Sequence, residues 1–128
     1  MTISVLLVED DEVVRTSMCF ALASSQVRVI EAGTVAEGLR RFHDDVVDVV
    51  VIDLHLPDGT GHDLARWLWQ QQPQLPLVMI TSDPEAAGVA PLRQLNGRST
   101  MLIKPFSISA LLDAISVVVA DPPGLAHG

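Results

Sequence analysis

With 128 residues, 48% of them hydrophobic, the chain is long enough to bury one core and too apolar for a disordered tail. Eight Lys and Arg stand against sixteen Asp and Glu, and the formal net charge of -8 argues against a protein that binds nucleic acid directly. Cys19, the single cysteine, cannot form an internal disulfide and makes the cytoplasm the default setting, while no apolar run approaches the ~20 residues of a membrane span.

Ile3–Val8 reads as a buried strand, followed by a helix from about Asp11 to Ser24 with Val14, Met18, Ala21 and Leu22 on one face. Asp11 and Glu12 are acidic residues suited to that helix's N-terminal dipole. Val27–Ala32 is the second strand, and Thr34-x-x-Glu37 is a capping box opening a helix to about His43. Val46–Ile52 is nearly continuous in β-branched residues, as expected of a central strand covered on both faces. The helix after Gly61 carries Leu64, Trp67 and Leu68 and stops before Pro73. Trp67 and Trp69, two apart, face different ways, so one is core and the other surface.

Leu77–Thr81 and Thr100–Ile103 are the fourth and fifth strands. Between them Pro84–Leu95 should form a fourth helix, short or irregular because Gly88 and Pro91 interrupt it. A last helix runs from Ser107, its N-cap, to about Val119, where Asp121-Pro122-Pro123 ends it. Residues 1–120 are thus one domain, and 121–128 a tail or the start of a linker. Alternating βα units imply an α/β fold: a five-stranded parallel sheet with right-handed crossovers and helices on both faces.

Ligands of such a sheet bind at the carboxyl ends of its strands. Those ends carry Glu9-Asp10-Asp11, Asp53, Thr81-Ser82-Asp83 and Lys104-Pro105. Lys104 is the only lysine of the chain and lies in an apolar stretch, where a lone charge asks for a partner. Carboxylates brought this close repel one another, and a hard divalent cation relieves that repulsion. Mg²⁺ takes one or two carboxylates, a carbonyl, waters and phosphate oxygens. With Lys104 as a second positive charge and Thr81 as a neutral donor, the set forms a phosphoryl clamp in which Asp53 is placed as nucleophile.

Four stretches in order carry a family resemblance: Val5-Leu6-Leu7-Val8-Glu9-Asp10-Asp11, Val51-Ile52-Asp53-Leu54-His55-Leu56-Pro57-Asp58-Gly59-x-Gly61, Met79-Ile80-Thr81-Ser82 and Lys104-Pro105-Phe106. From about Ile3 to Val119 the chain resembles the receiver domain of two-component response regulators. The resemblance implies a flavodoxin-like strand order 2-1-3-4-5. It also implies that Asp53 is the phosphoacceptor of a sensor histidine kinase or phosphotransfer protein, and that the chain is a signalling domain catalysing only its own phosphorylation and dephosphorylation. Glu9, Asp10, Asp53 and the His55 backbone carbonyl would hold Mg²⁺, with Mn²⁺ as the alternative. Thr81 and Lys104 would contact the phosphoryl group, His55 and Asp83 would flank it, and the Lys104–Pro105 peptide would be cis.

The chain departs from the family pattern at the switch position three residues before the lysine, where Met101 replaces the usual Tyr or Phe. No Lys or Arg follows Lys104. The last helix is apolar over more than one stripe (Ile108, Leu111, Leu112, Ile115, Val117, Val118, Val119), which points to a homodimer or a docked effector domain through this helix and the Met101 strand edge. Two other functions compete. One is an unphosphorylated interaction module of the same fold. The other is a phosphatase of the haloacid dehalogenase type, which needs a second aspartate where His55 stands. His43, His62 and His127 show no metal-ligand spacing, and Cys19 reads as a small helix residue.

Overall fold

A computed structural model describes residues 2–83 and 98–120. The run Ile3–Val8 forms β1, and Asp11 caps α1 (Glu12–Ala23) by accepting from the Val13 and Val14 amides. β2 (Val27–Ala32) leads into α2 (Val35–Asp44), whose N-cap Thr34 accepts from Glu37 N. The capping box is displaced by one residue: the Glu37 carboxylate reaches Gly33 N, at 2.9 Å, rather than the amide of Thr34. β3 covers Val49–Asp53, shorter at its start than the β-branched run suggests. Val46 is 76% exposed, and Asp48 exchanges hydrogen bonds with the Ser4 backbone at 2.7 and 2.9 Å before the ladder begins.

A hairpin absent from the sequence reading follows: β4 (His55–Leu56) and β5 (Gly59–Thr60) pair antiparallel around Pro57 and Asp58. Then come α3 (Gly61–Gln71), β6 (Leu77–Thr81), β7 (Ser99–Ile103) and α4 (Ile108–Val119), the last capped by Ser107. The expected helix over 84–95 and the tail 121–128 lie outside the described residues.

The five long strands form one parallel sheet in the order β2-β1-β3-β6-β7. Counted over these strands alone, this is the expected 2-1-3-4-5. Alternate residues of each strand face opposite layers. Leu6, Val8, Val50, Ile52, Leu77 and Met79 pack with α2 and α3, while Val5, Leu7, Val49, Val51, Val78 and Ile80 pack with α1 and α4.

Of the grouping Leu64, Trp67 and Leu68, only the leucines are buried. The stripe turned to the sheet is Gly61, Leu64, Ala65, Leu68 and Trp69. Trp69 is the core indole because its Nε1 can donate to Leu75 O, at 2.9 Å, while Trp67 stays 46% exposed. In α4 the expected face of Leu111, Ile115 and Val118 is buried. Leu112 and Val119 pack at the margin of the same core, so the outward surplus is narrower than the sequence suggests and centres on Ile108 and Val117.

Candidate functional site

Parallel pairing brings the ends of β1, β3, β6 and β7 to one rim of the sheet. Glu9 N donates to Ala32 O, Leu54 N to Ile80 O and Lys104 N to Thr81 O, at 3.0, 3.0 and 2.7 Å, so the backbone holds these ends in register. Glu9 is fully buried, Asp53 and Thr81 are buried, and Asp10 is exposed. Lys104 Nζ lies 2.6 Å from Glu9 Oε1 and 2.9 Å from Asp53 Oδ2, bridging the two acids. Their remaining oxygens accept backbone donors: Glu9 Oε2 from Asp11 N at 3.1 Å, Asp53 Oδ1 from His55 N at 2.9 Å.

Burial dominates the charge state of Glu9. It penalises the carboxylate more than the Lys104 hydrogen bond favours it, and the neighbouring Asp53 adds to the rise, so the pKa climbs from 4.5 to about 7. Burial also works against the Lys104 ammonium. There the hydrogen bonds and charges of Glu9 and Asp53 prevail, and the pKa lies above the ordinary lysine value.

The donor set fits a small hard cation. Carboxylate oxygens of Glu9, Asp10 and Asp53 all lie within 4.8 Å of one another. Opposite ligands of Mg²⁺ stand roughly 4 Å apart at metal–oxygen distances of about 2.1 Å, so the three carboxylates lie near the spacing that one ion requires.

Thr81 sits at the end of β6, where its Oγ1 accepts from Asp83 N at 3.0 Å and keeps its own proton to donate. Asp83 and the His55 side chain are exposed at the rim. The Lys104–Pro105 peptide is cis. Met101 lies away from the acids, partly buried on β7 against the α2–α3 side of the core. Beside Lys104, an apolar groove of about 350 Å³ runs between α1 and the segment before α4, lined by Val13, Val14, Met18, Pro105 and Phe106 among others.

Two residues to which the sequence assigned no role belong to the frame of this rim. Arg15 Nη1 donates to the Glu9 carbonyl at 2.8 Å, and its Nε pairs with Glu31 Oε1 at 3.2 Å. The Asp58 carboxylate accepts from Val35 N and Ala36 N, which holds it below the usual carboxylate range. The signals were an arginine one helical turn into α1 and an aspartate in a Pro-Asp-Gly turn, but neither names its partner.

Gly61 closes the loop from behind. A Cβ there would stand 2.5 Å from the Asp53 carbonyl oxygen and 2.9 Å from Ile52 Cγ2, and backbone cannot yield as a flexible side chain can. Gly61→Ala is therefore expected to cost about 2 kcal/mol through overpacking. Urea denaturation against the parent checks this, and an unchanged midpoint would contradict the close approach.

The family model for the response regulator receiver domain matches residues 5–116. The KDP operon transcriptional regulatory protein KdpE of Escherichia coli (strain K12) is 33% identical over 116 residues, covering 91% of this chain and 51% of that protein. The DNA-binding transcriptional activator DevR/DosR of Mycobacterium tuberculosis is 42% identical over 82 residues, covering 62% of this chain and 38% of its own length. Among solved structures, the non-phosphorylated HemR receiver domain from Leptospira biflexa superposes with a TM-score of 0.81 at 32% identity, covering 94% of this chain and 96% of that one. A putative response regulator from Chloroflexus aurantiacus shares the fold, with a TM-score of 0.84 at 24% identity over 94% of this chain and 100% of its own.

The chain belongs to the response regulator receiver domain family of two-component signalling. Its group of Glu9, Asp10 and Asp53 fits the Mg²⁺ and phospho-aspartate site of that family. The chain spans about half the length of KdpE and less of DevR/DosR. Among the described residues no helix is long and apolar enough to cross a membrane.

Proposed function

We propose that Asp53 accepts a phosphoryl group from a phosphohistidine of a sensor kinase or phosphotransfer protein. The P–O bond forms at an Asp53 carboxylate oxygen as the donor's P–N bond breaks, and that electron pair stays with the imidazole nitrogen. The observation that carries this reading is Lys104 Nζ held between Glu9 and Asp53, a cation fixed beside the nucleophile before any ligand arrives. Glu9, Asp10, Asp53 and the His55 carbonyl would hold Mg²⁺ (or Mn²⁺), which when bound offsets charge on the transferring phosphoryl oxygens. The Thr81 hydroxyl donates a hydrogen bond to one of those oxygens, while His55 and Asp83 flank the group and limit water's access.

The donor protein approaches over the apolar groove beside Lys104, whose lining residue Val13 is 76% exposed. Catalysis stops at the domain's own phosphorylation and dephosphorylation, in the cytoplasm, within a domain spanning residues 1–120. The signal leaves through α4 and the β7 edge at Met101, by pairing with a second copy or an effector domain. Ile108 and Val117 supply the apolar contact there.

Incubation with a small acyl phosphate and Mg²⁺ tests the core of this reading. One phosphoryl group per chain is expected by intact-mass spectrometry, and none when a chelator removes the metal. A chain that stays unmodified at millimolar Mg²⁺ would refute it.

A further inference from the structure

Asp58 lies outside the cleft, yet two walls of the cleft hang on it. It sits in the two-residue turn of the β4–β5 hairpin, and its Oδ1 accepts from Val35 N at 2.7 Å and its Oδ2 from Ala36 N at 3.0 Å. Thr34 Oγ1 takes the next donor, Glu37 N, at 3.0 Å. The first turn of α2 thus divides its unpaired N–H groups between its own cap residue and a carboxylate more than 20 positions further along the chain. The contact is close-packed as well as polar. Leu56 and Val35 share one core, and a Cβ on Gly59 would stand 3.2 Å from Val35 Cγ2.

His55 pairs with Thr60 across this hairpin, and its amide donates to Asp53 Oδ1. The His55 amide is thus held by Asp53, and the next peptide, which carries the His55 carbonyl, is held by the hairpin that the Asp58 clamp anchors. On the opposite wall, a Cβ on Gly33, just ahead of α2, would stand 3.2 Å from Arg15 Nη1, the atom that holds the Glu9 carbonyl. The start of α2 consequently ties the His55 segment to the Glu9 segment.

We propose that Asp58 is a positioning residue for the divalent cation, holding the His55 peptide where its carbonyl completes the ligand set of Glu9, Asp10 and Asp53. The inference rests on reading the cleft as a Mg²⁺ site. Without the clamp the hairpin samples other directions, and the apparent dissociation constant rises by the inverse of the competent fraction. The plateau of phosphoryl transfer at saturating Mg²⁺ is unaffected, because Asp58 touches neither metal nor phosphoryl group.

The test is a Mg²⁺ titration of the unphosphorylated full chain, read by the backbone amide resonances of Asp10 and His55. Asp58→Ala should weaken Mg²⁺ about fivefold or more. Asp58→Asn keeps one acceptor oxygen and should fall between it and the parent, and it serves if the alanine variant fails to fold. Thr34→Ala removes a different bond at the same helix start, the one from Glu37 N, and should lower the melting temperature while leaving Mg²⁺ affinity unchanged. Asp58 variants that lose stability as Thr34→Ala does, with parental Mg²⁺ affinity, would reduce Asp58 to a helix cap and overturn the proposal. A parent whose resonances ignore Mg²⁺ would instead overturn the metal reading beneath it.

Discussion

Asp53→Asn is expected to abolish phosphoryl incorporation while leaving the fold intact. The amide is isosteric with the carboxylate, and its oxygen can still accept from His55 N or Lys104 Nζ, so the packing around the rim survives. What disappears is the anionic oxygen that attacks phosphorus, together with one of the charges that draws a cation. Intact-mass spectrometry after treatment with a small acyl phosphate and Mg²⁺ should show only the unmodified chain. A label that persists in Asp53→Asn would move the acceptor elsewhere. Lys104→Met tests the same step from the other side. It leaves the nucleophile but removes the fixed cation, and a preorganised charge of this kind is worth roughly 10²–10³ in rate.

The second large effect is on stability, and Glu9 sets its sign. In the folded chain this carboxyl has a pKa of about 7, against 4.5 without burial. Between those values the folded state binds more protons than the unfolded one, so stability falls as pH rises. The contribution is complete below about 4.5 and is lost as pH climbs through 7, a change on the order of 3 kcal/mol. His62, half-buried and with a pKa lowered first by that burial and then by Arg66, acts in the opposite direction in part of the same window. The difference between parent and Glu9→Gln isolates the Glu9 contribution. Urea midpoints in chelator at pH 5 and pH 8 should therefore differ strongly for the parent and much less for Glu9→Gln. Mg²⁺ requires the ionised carboxylate, so its stabilising effect should be largest at pH 8, where Glu9 is already charged. An identical change in midpoint between pH 5 and pH 8 in the parent and in Glu9→Gln would mean that Glu9 is not held in its neutral form by burial.

Most of the sheet and the four strand ends were legible because their signals are local. Apolar runs of four residues, 5–8, 49–52 and 77–80, mark β1, β3 and β6, and the parallel architecture then brings Glu9, Asp10, Asp53, Thr81 and Lys104 together without further information. The hairpin of His55–Leu56 and Gly59–Thr60 left no such trace, since two-residue strands have no period to read. Arg15 escaped notice for a different reason: half of its role is a hydrogen bond to a backbone carbonyl, which any residue offers. At Val46 the β-branched run outlasted the strand because Asp48 turns its carboxylate to the Ser4 amide and delays the ladder. The choice between Trp67 and Trp69 depended on whether an acceptor lay within reach of the indole N–H. Only the fold supplies Leu75 O to Trp69.

The sheet order also bears on how readily the chain can close upon itself. Paired residues of β1 and β2 lie 24 positions apart (Ile3 and Val27), those of β3 and β6 are 27 apart (Val50 and Leu77), and those of β6 and β7 are 22 apart (Leu77 and Ser99). Only the β1–β3 pairing, at 44 positions between Val5 and Val49, spans a longer stretch, because it skips β2. Loop-closure entropy grows with the logarithm of span, so that single longer closure adds only about 0.5 kcal/mol over the others. The reversal in winding direction that opens the cleft between Glu9 and Asp53 is thus nearly free in chain entropy. The three-strand unit β1–β3 can assemble almost as readily as an uninterrupted succession of neighbours.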